Sequence, residues 1–366
     1  MRFAVAFLAL ATALAAQNRP APVLSPEVGS DRSVTFRLRA PNAKEVRITG
    51  IGQPVAMARG EDGVWTARVG PLDVDLYSYS FSVDGVSMLD PGNPRQKTLY
   101  MGVGQSLLHV PGQGLSWERT DGPRGSVNHH FYKSTLIGDE RDFWVYTPPN
   151  YDPSRKDPYP VLYLLHGASD DSDAWSTVGR ANVILDNLIN QGKAKPMIMV
   201  NPLGYGDPNY LRNPVRDANT RRRNQELFGR ALLEEVMPQV EKAYRVSHDR
   251  AGRALAGLSM GGGQTLFTGL NHLDKFAYLG AFSSAVGQEF DKAFPSLTAK
   301  SAGGMELLWI ACGVDDGLIT SNREFKKWLK EKNIPFTEVE TPGAHSWPVW
   351  RRNLTDFAPL LFQGKK

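Results

Sequence analysis

Cysteine is almost missing from this chain: Cys312 stands alone among 366 residues. One thiol can form neither an intrachain disulfide nor a cysteine-based zinc site, and no cysteine lies where a lipid-modified bacterial N-terminus would need one. Cys312 sits in an apolar run and reads as a small buried residue rather than a nucleophile. A strong charge bias is missing too. Lys and Arg number 42 against 38 Asp and Glu, a net charge of +4, and no dense basic block is interleaved with aromatics. Arg221-Arg222-Arg223 reads as the solvated start of a helix, so nucleic acid is excluded as a partner. No apolar run reaches the ~18–20 residues a bilayer span requires, so no membrane span is expected. Internal repeats and long low-complexity tracts are absent as well. What is there is ordinary for a globular protein with a core: 41% apolar and 22% charged residues, in a chain long enough for two domains.

The first residues carry a signal of their own. Met1-Arg2 is a short positive start, Phe3 to Leu14 is apolar, and Ala13-Leu14-Ala15 supplies small residues for cleavage. Residues 1–16 therefore read as a signal peptide, with a mature chain beginning close to Gln17 and a secreted or periplasmic location. Residues 17–30, rich in Pro, Asn and Ser, read as a flexible lead-in.

From residue 31 to 110 the pattern is that of short strands. Val34 to Ala40 and Glu45 to Thr49 alternate with period two, and so do Trp65 to Val69 and Tyr77 to Val83. Asp84-Gly85 is a dipeptide suited to a two-residue hairpin turn. A small β-sandwich is expected here, followed by a Gly- and Pro-rich linker over 111–126.

Residues 127–366 differ in kind. Val161 to Leu165, Met197 to Val200, Arg253 to Ala256 and Leu307 to Ala311 are continuous apolar runs, as strands buried on both faces should be. Helical patterns, such as Ala181 to Ile189 and Glu226 to Tyr244, lie between them. The fold class expected is α/β, a mostly parallel sheet covered on both faces, preceded by the sandwich.

Within this region Gly257-Leu258-Ser259-Met260-Gly261 follows an apolar strand and opens a helix, the setting of a nucleophile elbow. A serine hydroxyl needs a histidine to take its proton, and that histidine needs a carboxylate to orient it. In this fold the chain order is Ser, acid, His. Downstream, His272 lies too close along the chain to return to the serine, whereas His345 sits in the turn-rich Pro342-Gly343-Ala344-His345-Ser346-Trp347. After the strand ending at Ala311 two carboxylates are on offer, Asp316, which is favoured, and Asp315. The oxyanion requires backbone N–H donors. Met260 N–H is one candidate, and Ala168 N–H, in His166-Gly167-Ala168, is the other, with His166 expected to brace that loop. The constellation points to acyl transfer through a catalytic set of Ser259, His345 and Asp316. Trp175, Trp347 and Tyr205 are expected to shape a substrate pocket, and neither a metal nor an organic cofactor is implied.

Several stretches resemble carbohydrate esterase family one, the feruloyl esterase and esterase D group of α/β-hydrolases. They are Tyr163-Leu164-Leu165-His166-Gly167, Gly257 to Gln264, Ala311-Cys312-Gly313-Val314-Asp315-Asp316 and Gly343-Ala344-His345-Ser346-Trp347. The resemblance puts the acid at Asp316. Asp62-Gly63-Val64-Trp65, Tyr77-Ser78-Tyr79 with Val83-Asp84-Gly85, and Asp90-Pro91-Gly92-Asn93 resemble the early-set sandwich of carbohydrate-binding module family forty-eight. The pairing implies a serine carboxylesterase acting on hydroxycinnamoyl (feruloyl) esters of plant cell-wall polysaccharide. The rival expectations are an acetylxylan or siderophore esterase on the same scaffold, or a non-catalytic carbohydrate-binding protein. Trp65, Tyr77, Tyr79 and Phe81 fit either a sandwich core or a sugar-stacking face. An ester-decorated polysaccharide or oligosaccharide is the expected partner; oligomeric state is not legible.

Overall fold

A computed structural model describes residues 22–212 and 217–364, so the signal-peptide reading of residues 1–16 lies outside the described residues. The described residues divide into two compact units: one holds those up to Gln96 and Gly104–Pro111, the other Lys97–Val103 and those from Gly112 onward.

The first unit carries β1 (Glu27–Val28), β2 (Val34–Arg39), β3 (Val46–Thr49), β4 (Val55–Ala56), β5 (Ala58–Arg59), β6 (Val64–Val69), β7 (Asp75–Val83), β8 (Val86–Met88), β9 (Gln96–Lys97) and β10 (Gln105–Val110). One sheet runs β1-β2-β6-β5, the other β4-β3-β7-β10-β9 with β8 hairpinned onto β7. Period-two patterning explains the packing. Val34, Phe36 and Leu38 of β2 turn inward and meet Ile48, Tyr79 and Phe81 of the other sheet in one apolar cluster. Phe36 packs edge-on against Tyr79, ring centroids 4.9 Å apart. Asp84 and Gly85 take φ values of 49° and 86°, as the tight hairpin between β7 and β8 requires.

Two boundaries differ from the sequence expectation. Part of the lead-in is ordered, because Glu27–Val28 pairs with β2 and the Ser25 hydroxyl donates to buried Asp90 at 2.6 Å. Residues 111–126 do not hang free as a linker. Trp117 is buried, and Asn187 Nδ2 donates to the carbonyls of Ser116 and Glu118.

Among the described residues the second unit builds one eight-stranded sheet from β11 (Ser126–Lys133), β12 (Glu140–Thr147), β13 (Val161–Leu165), β14 (Ile198–Pro202), β15 (Arg253–Leu258), β16 (Tyr278–Phe282), β17 (Leu307–Gly313) and β18 (Thr337–Thr341). The order is β11-β12-β14-β13-β15-β16-β17-β18, antiparallel at β11, β12 and β14 and parallel from there on. This is the α/β-hydrolase arrangement. The parallel strands are buried on both faces, which is why they read as continuous apolar runs. Each fully buried Leu, Val or Phe there stabilises the sheet by roughly 1.5–3 kcal/mol.

The helix expected over 226–244 begins earlier and is broken. Asp217 caps it by accepting the Thr220 N–H at 2.7 Å, helix runs Ala218–Ala231, a π turn covers Leu232–Val236, and helix resumes at Met237–Ala243. Pro238, with no N–H to give, sits where the ladder resumes, and the wider turn absorbs the missing bond.

Candidate active site

Strand β15 ends at Leu258 and the helix Met260–Asn271 begins immediately after Ser259, which is held at φ 52°, ψ −115°. A side-chain-bearing residue in that region costs on the order of 1–3 kcal/mol and persists only where its surroundings fix it. Here they do. The Ser259 N–H donates to Phe282 O at 2.9 Å, and its carbonyl accepts from Gly263 and Ala285 at 3.0 and 2.9 Å. The glycines are steric necessities: a Cβ on Gly257 would lie 2.6 Å from Gly261 C, and one on Gly261 would lie 2.5 Å from His166 O. A strand, a sharp turn and a helix thus converge within one residue, and the serine side chain is pushed out at the carboxyl end of the sheet.

The loop after β18 brings His345 to it. His345 Nε2 lies 2.9 Å from Ser259 Oγ, and His345 Nδ1 lies 2.8 and 3.0 Å from the two oxygens of Asp316. A carboxylate only accepts, so Nδ1 carries the proton and the Nε2 lone pair faces the serine hydroxyl. The Asp316 side chain is fully buried while His345 remains 36% exposed, so one end of the line is sealed and the other open. Burial alone would raise the Asp316 pKa. Hydrogen bonds from His345, the Leu318 N–H and Ser283 outweigh it and hold the carboxyl below its usual range. Asp315 is exposed and turned to the Gly343 N–H instead, which separates the two candidate acids.

Two supporting residues carried no signal in the sequence. Ser283, at φ 46°, sits beside Asp316 and accepts the Trp350 indole N–H at 3.1 Å. Trp350 packs edge-on against the His345 ring, centroids 4.9 Å apart. Ser283 adjoins the acid and falls in no recognisable motif; Trp350 adjoins the imidazole and lies three residues past the His345 stretch. Cys312, buried below, has its thiol pushed up to about 12 by burial first and by the Asp316 charge second, which keeps it protonated and inert.

Met260 N–H is at the first position of its helix, where no intrahelical acceptor exists. The loop after β13 lies against the serine: a Cβ built on Gly167 would be 3.4 Å from Ser259 Cβ. His166 is fully buried, with Nδ1 donating to Gly167 O at 2.8 Å and Nε2 accepting the Gly204 N–H at 2.9 Å. Burial lowers its pKa, so it stays neutral and pins the loop after β14 to the loop after β13.

The three aromatics expected to contact substrate are all buried. Trp175 is fully buried, its indole N–H donating to Leu165 O at 2.9 Å. Tyr205 is buried too, its hydroxyl on Asp170 O at 2.8 Å and its ring stacked under Tyr100 at 4.4 Å. Trp347 is buried edge-on against Trp175 and Trp350, centroids 5.1 and 5.3 Å apart. An aromatic in a loop near a motif reveals bulk in sequence but not direction; here a main-chain carbonyl takes the Trp175 indole N–H and another the Tyr205 hydroxyl, while Trp347 is packed between two indoles. Beside Met260 and Ala168 the apolar neighbours are Leu203, Tyr205, Tyr210, Tyr100 and Leu211, so of the three expected aromatics Tyr205 packs in the same cluster as Met260. In the first unit Trp65, Tyr79 and Phe81 are core residues and Tyr77 is half-buried with its hydroxyl on Asp73 O, so the core reading of that set holds.

Among the described residues no group of three or more His, Cys, Asp or Glu could hold a metal ion, and no helix is long and apolar enough to cross a membrane.

Comparison with known proteins converges on the same region. The family described as putative esterase matches residues 134–361. An endo-1,4-beta-xylanase/feruloyl esterase of Xylanibacter ruminicola is 29% identical over 350 residues, covering 92% of this chain and 46% of that protein. The chain thus spans less than half of that relative's length. Among solved structures, a CE1 ferulic acid esterase from Anaeromyces mucronatus is 25% identical with a TM-score of 0.61, covering 69% of this chain and 96% of that one. The enterobactin esterase of Shigella flexneri shares the fold at 19% identity, with a TM-score of 0.65 and 90% of this chain against 93% of its own covered.

Proposed function

The chain belongs to the putative esterase family, and on that premise we propose that it is a serine carboxylesterase cleaving hydroxycinnamoyl (feruloyl) esters of plant cell-wall polysaccharide. One observation carries the chemistry: the hydrogen-bonded line from Ser259 Oγ through His345 to buried Asp316, 2.9 Å and 2.8 Å per link. Ser259 attacks the ester carbonyl as His345 Nε2 takes its proton, and Asp316 holds the imidazole and steadies the imidazolium that forms. The Met260 and Ala168 N–H groups receive the oxyanion. His345 returns the proton to the departing alcohol, leaving an acyl group on Ser259. Water, deprotonated by His345, then releases the acid.

The acyl preference rests on the relatives named for ferulic acid and on the aromatic surroundings of Met260 and Ala168. A second reading, a siderophore lactone, is favoured by the enterobactin esterase, whose likeness covers both units of this chain. Methyl ferulate, acetylated xylan and a catecholate triester offered in parallel separate the three substrates. The expected order puts methyl ferulate first in kcat/KM, and preference for either of the others overturns the acyl assignment while leaving the mechanism. The same reading places the protein outside the cytoplasm, and the mature N-terminus, sequenced from secreted material, should begin close to Gln17.

A further inference from the structure

Seven residues, Lys97–Val103, belong to the second unit, beginning with Lys97, the last residue of β9. They are tied to the loop after β13 at three successive points. Lys97 Nζ lies 2.7 Å from Asp170 Oδ1, both side chains at least nine-tenths buried. Thr98 Oγ1 donates to Asp173 Oδ1 at 2.9 Å, and the Tyr100 N–H donates to Ser169 O at 3.1 Å. Ser169, at φ 75°, is the residue directly after Ala168, so the strap fixes the peptide adjoining the candidate oxyanion donor.

The loop needs an external counter-charge. Asp170, Asp171 and Asp173 follow one another closely, and Asp142 lies near enough to act on Asp173. Burial first, and then these neighbouring carboxylates, push the Asp173 pKa up despite the Thr98 bond. Lys97 also lies 6.0 Å from the centre of the Trp347 ring, two residues beyond His345. One buried ammonium therefore touches the loop of the oxyanion donor and the helix that follows the base.

We propose that Lys97 is a positioning residue for ester hydrolysis: its ion pair with Asp170, backed by Trp347, sets the loop Gly167–Asp173 so that the Ala168 N–H meets the oxyanion. This rests on the catalytic reading above. Remove the ammonium alone and Asp170 is left buried, unpaired and surrounded by like charge, so it moves toward water and carries the loop with it. Remove both charges and that push disappears.

The test is steady-state kinetics of the full chain on p-nitrophenyl acetate and methyl ferulate, with affinity for phenylboronic acid, whose tetrahedral adduct on Ser259 places an oxygen in the oxyanion site. Loss of one oxyanion donor costs about 10²–10³ in kcat. K97M should therefore lower kcat by up to about 10²-fold with KM nearly unchanged, and weaken boronate binding in step. K97M/D170N should recover only in part, to between about three- and tenfold below the parent, because the push is gone but so is the ion pair that sets the loop. Unchanged kcat and boronate affinity in folded K97M overturn the proposal, even if Tm falls, and so does a rise in KM alone. If K97M does not fold, the double variant decides: undiminished kcat and boronate affinity there overturn it. Persistence of turnover in S259A sinks the catalytic reading itself, whereas an inactive S259A beside a normal K97M sinks only this inference.

Discussion

Each unit of the molecule holds a serine joined to a buried aspartate, and the two arrangements differ in where they end. In the sandwich, Ser25 Oγ and Tyr79 OH both donate to Asp90 Oδ2 at 2.6 Å and Asn93 Nδ2 donates to the Tyr79 hydroxyl at 3.1 Å. Ser25, Tyr79 and Asp90 are buried and Asn93 half-buried, and the hydrogen bonds close on one another. In the α/β unit, buried Asp316 passes its hydrogen bond to a partly exposed imidazole, which reaches a serine held in a strained turn. A third set, Ser172 and His129 both on Asp142 Oδ2 at 2.7 and 2.6 Å, puts the carboxylate in the middle, so serine and histidine are each bonded to it instead of to one another. This third set uses the same three residue types as the Ser259 line. Order along the hydrogen-bond chain and an open end are what make acyl-transfer chemistry available.

The comparison breaks first at its open end. Ser259→Ala and His345→Ala should each lower kcat by at least about 10³–10⁴-fold with Tm within a few degrees of the parent, and the double variant should be no worse than either alone, since the pair acts as one unit. Retained turnover in either would mean the exposed line is as inert as the Asp90 network. Next comes the acid. Asp316→Asn removes the acceptor that fixes the imidazole tautomer and should cost about 10³–10⁴-fold in kcat, whereas Asp315→Asn, at an exposed position, should stay within a few-fold. Reversal of that order would move the acid to Asp315.

Much of this was legible in the sequence because local chemistry and global fold agree there. The elbow needs Gly257 and Gly261 for steric reasons that a five-residue pattern displays, and the continuous apolar runs follow from strands covered on both faces. Chain order in this fold points to Ser259 and His345 but leaves Asp315 and Asp316 both open, and only the resemblance favours Asp316. What could not be read depends on direction and distance. Trp175 and Tyr205 stand beside the right motifs but turn inward, because each has a buried carbonyl to bond. Ser283 and Lys97 act from far along the chain, and a lysine following a glutamine in a polar stretch looks like any solvated lysine until Asp170 is placed against it. The Asp90-Pro91-Gly92-Asn93 motif was recognised by likeness, but its physical purpose, closing a polar network in the sandwich, appears only in three dimensions.

The closed networks sharpen the comparison from the other side, since they should move stability and leave chemistry alone. Asp90→Ala strands the Tyr79 and Ser25 hydroxyls in a dry core and should destabilise the protein by roughly 1–3 kcal/mol in chemical denaturation, with kcat of the folded protein within about twofold of the parent. A large fall in kcat would show that the sandwich network feeds the site after all.

The smallest effect belongs to Glu340, on β18. Hydrogen bonds from Arg323 and then Lys326 hold its carboxyl down at about 2, from the usual 4.5. A carboxyl depressed in the folded state adds stability that is fully present above its unfolded pKa and lost as pH falls through the folded one. The contribution should therefore be complete above about pH 4.5 and fade toward pH 2. Lys326 keeps a second partner, Glu338 at 2.6 Å, so Glu340→Gln leaves no unpaired buried charge. The expected loss is on the order of 1 kcal/mol at neutral pH after solvent screening, shrinking as the two proteins are compared at lower pH. Urea denaturation of parent and variant from pH 7 to 3 measures it. A gap that widens toward acid would contradict the assignment of the carboxyl as a depressed, ion-paired group, and a change in kcat at neutral pH would contradict its separation from the site.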